Sequence, residues 1–150
     1  MNFKVLMIGA GRIGFRHFQG LLKSQTTLDL TVLDPSQEAL LRCEEEFRSE
    51  NSAHTLKTVK DFENLSSSYH AMIITTCSDI RYELVTKFFE ISSAKFVVLE
   101  KVPFQTKDEY LNIGKLFRSR DVYAVVHCPR PSFASYQALK QSLSSNEKIL

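Results

Sequence analysis

Three glycines, Gly9, Gly11 and Gly14, stand in the spacing G-x-G-x-x-G within "GAGRIG", and an acid, Asp34, follows twenty positions after the last of them. An apolar run, "FKVLMI", precedes the glycines, and a helical pattern, "RIGFRHFQGLLKS", follows. Strand, glycines, helix and a later acid together form a pattern for holding a dinucleotide. The first glycine permits a tight turn, the second lets backbone approach a pyrophosphate with no Cβ in the way, and the third lets the helix pack closely. The helix start offers unpaired N–H groups and about half a positive charge to the anion. Gly9, Gly11, Arg12, Ile13 and Gly14 are the expected cofactor contacts here, with Arg12 either adding charge or lying solvated. Asp34 has two readings: acceptor for both hydroxyls of an adenosine ribose, or a turn aspartate before Pro35. A carboxylate repels a 2′-phosphate, so the expected cofactor is NAD rather than NADP.

A second constellation lies in "FVVLEKVPF", where four apolar residues run straight into Glu100 and Lys101 and close on Pro103. Phe96–Glu100 read as the end of a buried strand, and such a strand usually stops at a turn residue rather than at opposed charges. In open α/β sheets ligands bind beyond the carboxyl ends of the strands, which is where this pair stands. The bland reading is a surface lysine paired with Glu100. The sharper one is a pair placed where the sheet stops and a ligand starts.

The elements that must position these groups follow from periodicity. "LDLTVLD", "HTLKTV", "HAMIITT", "KFVVLE" and "VYAVVHC" read as further strands. "PSQEALLRCEEEFRSE", "SDIRYELVTKFFEIS", "TKDEYLNIGKLFRSR" and "SFASYQALKQSLSS" read as helices, with Ser78 and Thr106 as N-caps and a short helix or turn near "DFENL". In the first helix, Ile13, Phe18, Leu21 and Leu22 are the expected inner face. The order β-α-β-α-β-β-α-β-α-β-α predicts an α/β, doubly wound, mostly parallel sheet of the Rossmann fold, with helices on both faces.

Composition excludes several classes. Nineteen basic against seventeen acidic residues leave +2, too weak a bias for nucleic acid or an anionic membrane. No apolar run is long enough to cross a bilayer, and Arg12 and the glycines interrupt the start too early for a signal peptide. A cytoplasmic protein is expected. Cys43, Cys77 and Cys128 fit no metal or redox spacing and read as free thiols. His17, His54, His70 and His127 are scattered, and no metal site is expected.

"GAGRIGFRH", Asp34, "IITTCSD" and "VVLEKVP" together resemble the Gfo/Idh/MocA oxidoreductases, and the resemblance runs along nearly the whole chain. It implies a two-domain NAD-dependent dehydrogenase acting on a sugar, inositol or nucleotide-sugar hydroxyl. It makes Lys101 the catalytic residue near the substrate hydroxyl and the nicotinamide, adds Thr76, Glu100 and Lys101 to the cofactor contacts, and makes His17 structural. Of the family's A-T-P-N-x-x-H stretch only Thr76 holds, with Arg81 where the histidine falls. The E-K-P signature becomes Glu100, Lys101, Val102, with its proline one place late at Pro103. Relatives are usually about twice as long, with a second domain that binds substrate, often supplies a histidine and commonly makes the oligomer. Residues 1–127 are therefore expected to form the dinucleotide-binding domain and 128–150 the start of the crossover to an absent substrate domain. The tail from Arg130 through Lys140 resembles that crossing, and the stop at Ile149 and Leu150 favours a fragment. A homo-oligomer is expected only with the second domain. His127, at the end of the last strand, is the one candidate stand-in for the family's histidine. The alternative function, of another class, is a stand-alone NAD-sensing module of RCK type, which needs no catalytic lysine; "EKVP" argues against it.

Overall fold

The computed structural model of the chain describes residues 2–50, 52–129 and 133–144. The segment around Arg130 and the chain end at Ile149 and Leu150 lie outside the described residues. Eleven elements follow in the expected order: β1 (Phe3–Ile8), α1 (Arg12–Leu22), β2 (Leu28–Leu33), α2 (Gln37–Ser49), β3 (Thr55–Val59), β4 (Tyr69–Ile74), α3 (Ser78–Ile91), β5 (Ala94–Glu100), α4 (Lys107–Ser119), β6 (Tyr123–His127) and α5 (Ala134–Ser144). The strands form one six-stranded sheet, parallel at every pairing, in the order β3-β2-β1-β4-β5-β6. This is the doubly wound Rossmann architecture, with its switch point between β1 and β4.

Alternation along the strands explains the two layers. Val5 and Met7 of β1 face one side, where they pack with Phe18 and Leu22 of α1 and Leu40 and Cys43 of α2. Leu6 and Ile8 face the other, where Val85, Phe88 and Phe89 of α3 and Ile113 and Phe117 of α4 close the larger core. Phe18, Phe88 and Phe89 are essentially inaccessible, and burying each contributes roughly 1.5–3 kcal/mol. Thr106 caps α4 in a full capping box with Glu109.

Three local expectations are corrected. Ile13 is not on the inner face of α1: it is 45% exposed, while Gly14, Phe18 and Leu22 are the buried residues. Ser78 is the first residue of α3 rather than its cap. The cap position falls to Cys77, without a side-chain bond, and the Ser78 hydroxyl accepts from Gln105 Nε2. Phe96 is 46% exposed, because α1 and α2 cover the β1–β2 part of their face and leave Phe96, Tyr123 and Val125 uncovered. Cys43 is buried and Cys77 and Cys128 are exposed, all free; burial pushes the Cys43 thiol up to about 11. Among the described residues no helix is long and apolar enough to cross a membrane.

Two glycines of α1 make opposite predictions. A Cβ at Gly14 would lie 2.1 Å from the Gly9 carbonyl oxygen, whereas one at Gly20 would meet nothing within 4 Å. Gly14→Ala is expected to cost at least the roughly 1–3 kcal/mol of overpacking, and Gly20→Ala to stabilise by up to about 1 kcal/mol through helix propensity. Urea denaturation of both variants checks the sign and the contrast.

Candidate functional site

The parallel registers bring the strand ends level. Ile8 stands opposite Leu33 and Ile74, Ile74 opposite Leu99, and Glu100 opposite His127. The segments that follow these ends therefore share one edge of the sheet.

At the first strand end, Gly9 turns with φ +96°, a conformation that side chains resist. Its carbonyl accepts from Thr75 Oγ1 at 2.7 Å, and Gly14 packs against the same carbonyl. The turn is thus held from both sides. Helix α1 begins at Arg12 with Gly11 as N-cap, with no side-chain cap bond and no acid in its first turn. Its positive end is left to an outside anion. A Cβ at Gly11 would meet nothing within 4 Å, so packing within the chain does not demand glycine there. The space beside Gly11 is left open at the start of α1.

Asp34 follows β2. One carboxylate oxygen accepts from the Ala10 N–H at 2.6 Å and the other from the Ser36 N–H at 2.8 Å. The two readings of this acid are compatible: the amides aim the carboxylate, and each oxygen keeps acceptor capacity for a ribose hydroxyl. Arg42, which the sequence reading missed, donates from Nη2 to the Ala10 carbonyl at 2.6 Å and lies 4.5 Å over the Phe15 ring. Gly11, Arg12, Asp34, Ser36 and Arg42 share a cavity of about 280 Å³.

Past the switch point, Arg81 joins two loops. Its Nη1 donates to the carbonyls of Glu100 (2.5 Å), Val102 (2.8 Å) and Pro103 (3.1 Å), and its Nη2 to that of Thr76. The residue is 2% exposed. Burial pulls its pKa below the ordinary value, against the opposing pull of the Glu100 carboxylate. The Lys101–Val102 peptide is cis. In sequence Arg81 was visible only as a departure from a histidine. Beside it, Thr76 Oγ1 is buried without a partner, which is costly unless something outside the described atoms satisfies it.

Glu100 and Lys101 line a second cavity, of about 450 Å³, with Ile13, Arg16, His17 and His127. The exposure of Ile13 is thereby explained. The Glu100 carboxylate is not engaged by Lys101. Its Oε1 lies 2.8 Å from His17 Nε2 and 2.6 Å from His127 Nδ1. Burial pushes the Glu100 carboxyl up, but the hydrogen bonds and charge of the two histidines outweigh it and hold the group below the usual range. An ionised carboxylate only accepts, so both rings donate to it. Histidines far apart in sequence thus meet around one acid, their ring centroids 4.8 Å apart. His54 and His70 lie elsewhere, bonded to the Leu28 and Lys4 amides.

The site residues named from sequence fall into two groups: Gly11, Arg12 and Asp34 line the first cavity, with Gly9 and Gly14 in the turn that leads into α1, and Ile13, Glu100 and Lys101 line the second, with Thr76 near the switch point. Arg81→Met should free four carbonyls from a charged donor. Charge-assisted bonds of this kind are worth roughly 1.5–3 kcal/mol each, and because they share one side chain the expected loss is about 3 kcal/mol overall. Guanidinium denaturation measures it, and a loss below about 1 kcal/mol would contradict the role of Arg81 as the tie between the loops.

The model of the Gfo/Idh/MocA family, described as an oxidoreductase family with an NAD-binding Rossmann fold, matches residues 3–128. Among curated proteins none matches the chain. Among solved structures the chain is similar to the WlbA dehydrogenase of Chromobacterium violaceum, determined with NADH and UDP-GlcNAcA (20% identity, TM-score 0.78, covering 96% of this chain and 40% of that one). It is similar to the myo-inositol dehydrogenase of Lactobacillus casei, determined with NAD(H) and myo-inositol (22%, TM-score 0.73, 97% and 42%). It is also similar to a 3-ketoreductase of Actinomadura kijaniata, determined with NADP (13%, TM-score 0.76, 97% and 43%). At these identities the likeness shows the fold. The chain spans about two-fifths of the length of these structures. Nothing in the comparisons supports the RCK-type alternative.

Proposed function

The chain belongs to the Gfo/Idh/MocA oxidoreductases as an NAD-binding Rossmann domain, and from that membership we propose that it is the cofactor half of a dehydrogenase acting on a sugar, inositol or nucleotide-sugar hydroxyl. The observation that carries the reading is the uncapped start of α1, where Gly11 leaves Cβ space that no atom of the described residues uses. The orphaned hydroxyl of Thr76 on the same edge is a second sign of fit. The substrate class is supported by the sugar-like molecules named with two of the similar structures. Residues 1–127 form the cofactor unit in this reading, and 128–150 begin the crossing to a substrate domain.

Each residue then has a task. The uncapped amides at the start of α1, from Arg12 on, hold a pyrophosphate, with the Arg12 side chain at its outer side. Asp34, aimed by Ala10 and Ser36, accepts the adenosine ribose hydroxyls and disfavours a 2′-phosphate. Thr76 donates its free hydroxyl toward the cofactor. Lys101, presented with Glu100 into the larger cavity, takes the hydroxyl proton at Nζ when an alcohol is oxidised and returns it when a ketone is reduced. The bound nicotinamide supplies the hydride acceptor or donor.

Calorimetric titration tests the cofactor assignment. The chain is expected to bind NAD(H) more tightly than NADP(H). Asp34→Ser should weaken NAD(H) about ten- to a hundredfold, the equivalent of one charge-assisted contact, and narrow the gap between the two cofactors. Gly11→Val should fold normally and lose NAD(H) binding. Equal affinity for both cofactors in the unaltered chain would remove Asp34 from its role.

Residues 1–150 alone are expected to show negligible turnover across a panel of sugars and nucleotide sugars, since hydride transfer needs the substrate held at near-attack distance. In the full-length protein, Lys101→Ala should spare most NAD affinity and lower the catalytic rate by about 10²–10⁴-fold. Near-normal turnover of that variant at saturating cofactor would return Lys101 to the surface.

A further inference from the structure

We propose that His17, Glu100 and His127 form a binding site for a single first-row transition-metal dication of the Zn²⁺ type, opening on the larger cavity. This inference rests on the side-chain cluster, which shares Glu100 with the proposed dehydrogenase site but needs no bound nucleotide.

The donor atoms, His17 Nε2, Glu100 Oε1 and His127 Nδ1, all lie within 4.8 Å of one another. They come from three elements: the middle of α1, the last residue of β5 and the last residue of β6. Glu100 and His127 are register partners, so backbone pairing fixes their separation. The N···O distances are 2.8 and 2.6 Å. A tetrahedral ion with ligands at about 2.0–2.2 Å would hold such atoms roughly 3.3–3.6 Å apart. Side-chain movements of about 1 Å or less therefore convert the hydrogen-bonded cluster into a coordinating one. Each imidazole would then carry its ring proton on its other nitrogen, so no co-reactant is needed.

The chemistry of the set selects the ion. Two imidazoles and one carboxylate are the protein ligands of open, three-ligand zinc sites, which leave a further position to water or a substrate oxygen. Imidazole favours zinc, copper and nickel, whereas calcium and magnesium call for several oxygen ligands. Only one carboxylate is present in the cluster, and Arg16 and Lys101 line the same cavity, which further disfavours ions that bind through charge alone. Glu100 is also anchored from behind, since its carbonyl accepts from Arg81. The oxygen ligand that fits the open position is an alcohol, a ketone or water entering from the cavity.

Cobalt(II) titrated into the 150-residue chain is the test, because low-coordinate Co²⁺ absorbs in the visible. The expected result is one equivalent bound, displaced by Zn²⁺ and unaffected by excess Mg²⁺. His17→Ala, His127→Ala and Glu100→Gln should each weaken binding by at least about 10–100-fold, the loss that even outer-shell partners bring. A variant with Cys77→Ser and Cys128→Ser should keep the band, which excludes thiolate ligation by the exposed cysteines. Zn²⁺ should also raise the thermal midpoint of the unaltered chain by mass action. Should a variant fail to fold, diethylpyrocarbonate labelling of the unaltered chain decides: Zn²⁺ should protect His17 and His127 but not His70. Absence of a visible band with no Zn²⁺-dependent protection, or a band that survives His17→Ala and His127→Ala, would overturn the site and leave a hydrogen-bonded triad. NAD⁺ titration of the same metal-free samples reads the nucleotide site separately, so failure of either reading is told from failure of the other.

Discussion

The constraint on which the rest depends is the level ending of parallel strands. Every pairing in the sheet is parallel, and the registers set Ile8, Leu33, Ile74 and Leu99 in one row, with Glu100 and His127 paired one step further. Parallel strands deliver all their carboxyl ends to the same edge. Residues as far apart in sequence as Ile8 and Ile74 therefore become neighbours through backbone pairing. The sheet is packed on both faces, by Phe18 on one and Phe88 and Phe89 on the other.

Beyond the edge the backbone leaves the sheet ladder, and its polar groups need new partners. The structure meets this need with a few side chains reaching across loops. Thr75 holds the Gly9 carbonyl, Asp34 takes the Ala10 and Ser36 amides, Arg42 takes the Ala10 carbonyl, and Arg81 gathers four carbonyls from two loops. What stays unsatisfied is informative. The first turn of α1 has no side-chain cap and Thr76 Oγ1 has no partner, and both lie beyond the carboxyl ends of the strands, β1 for the one and β4 for the other.

The fold and the first half of the site were legible because their determinants are local. Gly9, Gly11 and Gly14 act within one turn, Asp34 directly follows the adjacent strand, and Thr106 with Glu109 forms a cap within four residues. Arg81, Arg42 and the joining of His17 to His127 were not legible, because each depends on register and helix rotation across distant elements. Ser78 and Cys77 illustrate the limit at short range: serine is the better cap by type, but Gln105 engages its hydroxyl and the helix starts one residue earlier than a serine cap would set it. Phe96 illustrates it at long range. Its apolar neighbours suggest burial, but whether a helix covers that part of the face is decided by where α1 and α2 lie.

The uncovered strip has a consequence for the protein as a colloid. β6 is the last strand in the described sheet, five residues without an acid or a lysine, and Tyr123 and Val125 stand open beside Phe96. No strand among the described residues pairs with its outer side, and an edge of this kind recruits another strand. A net charge of +2 supplies little repulsion against such an encounter. Rising concentration therefore favours self-association of this chain through that strip when it is handled alone.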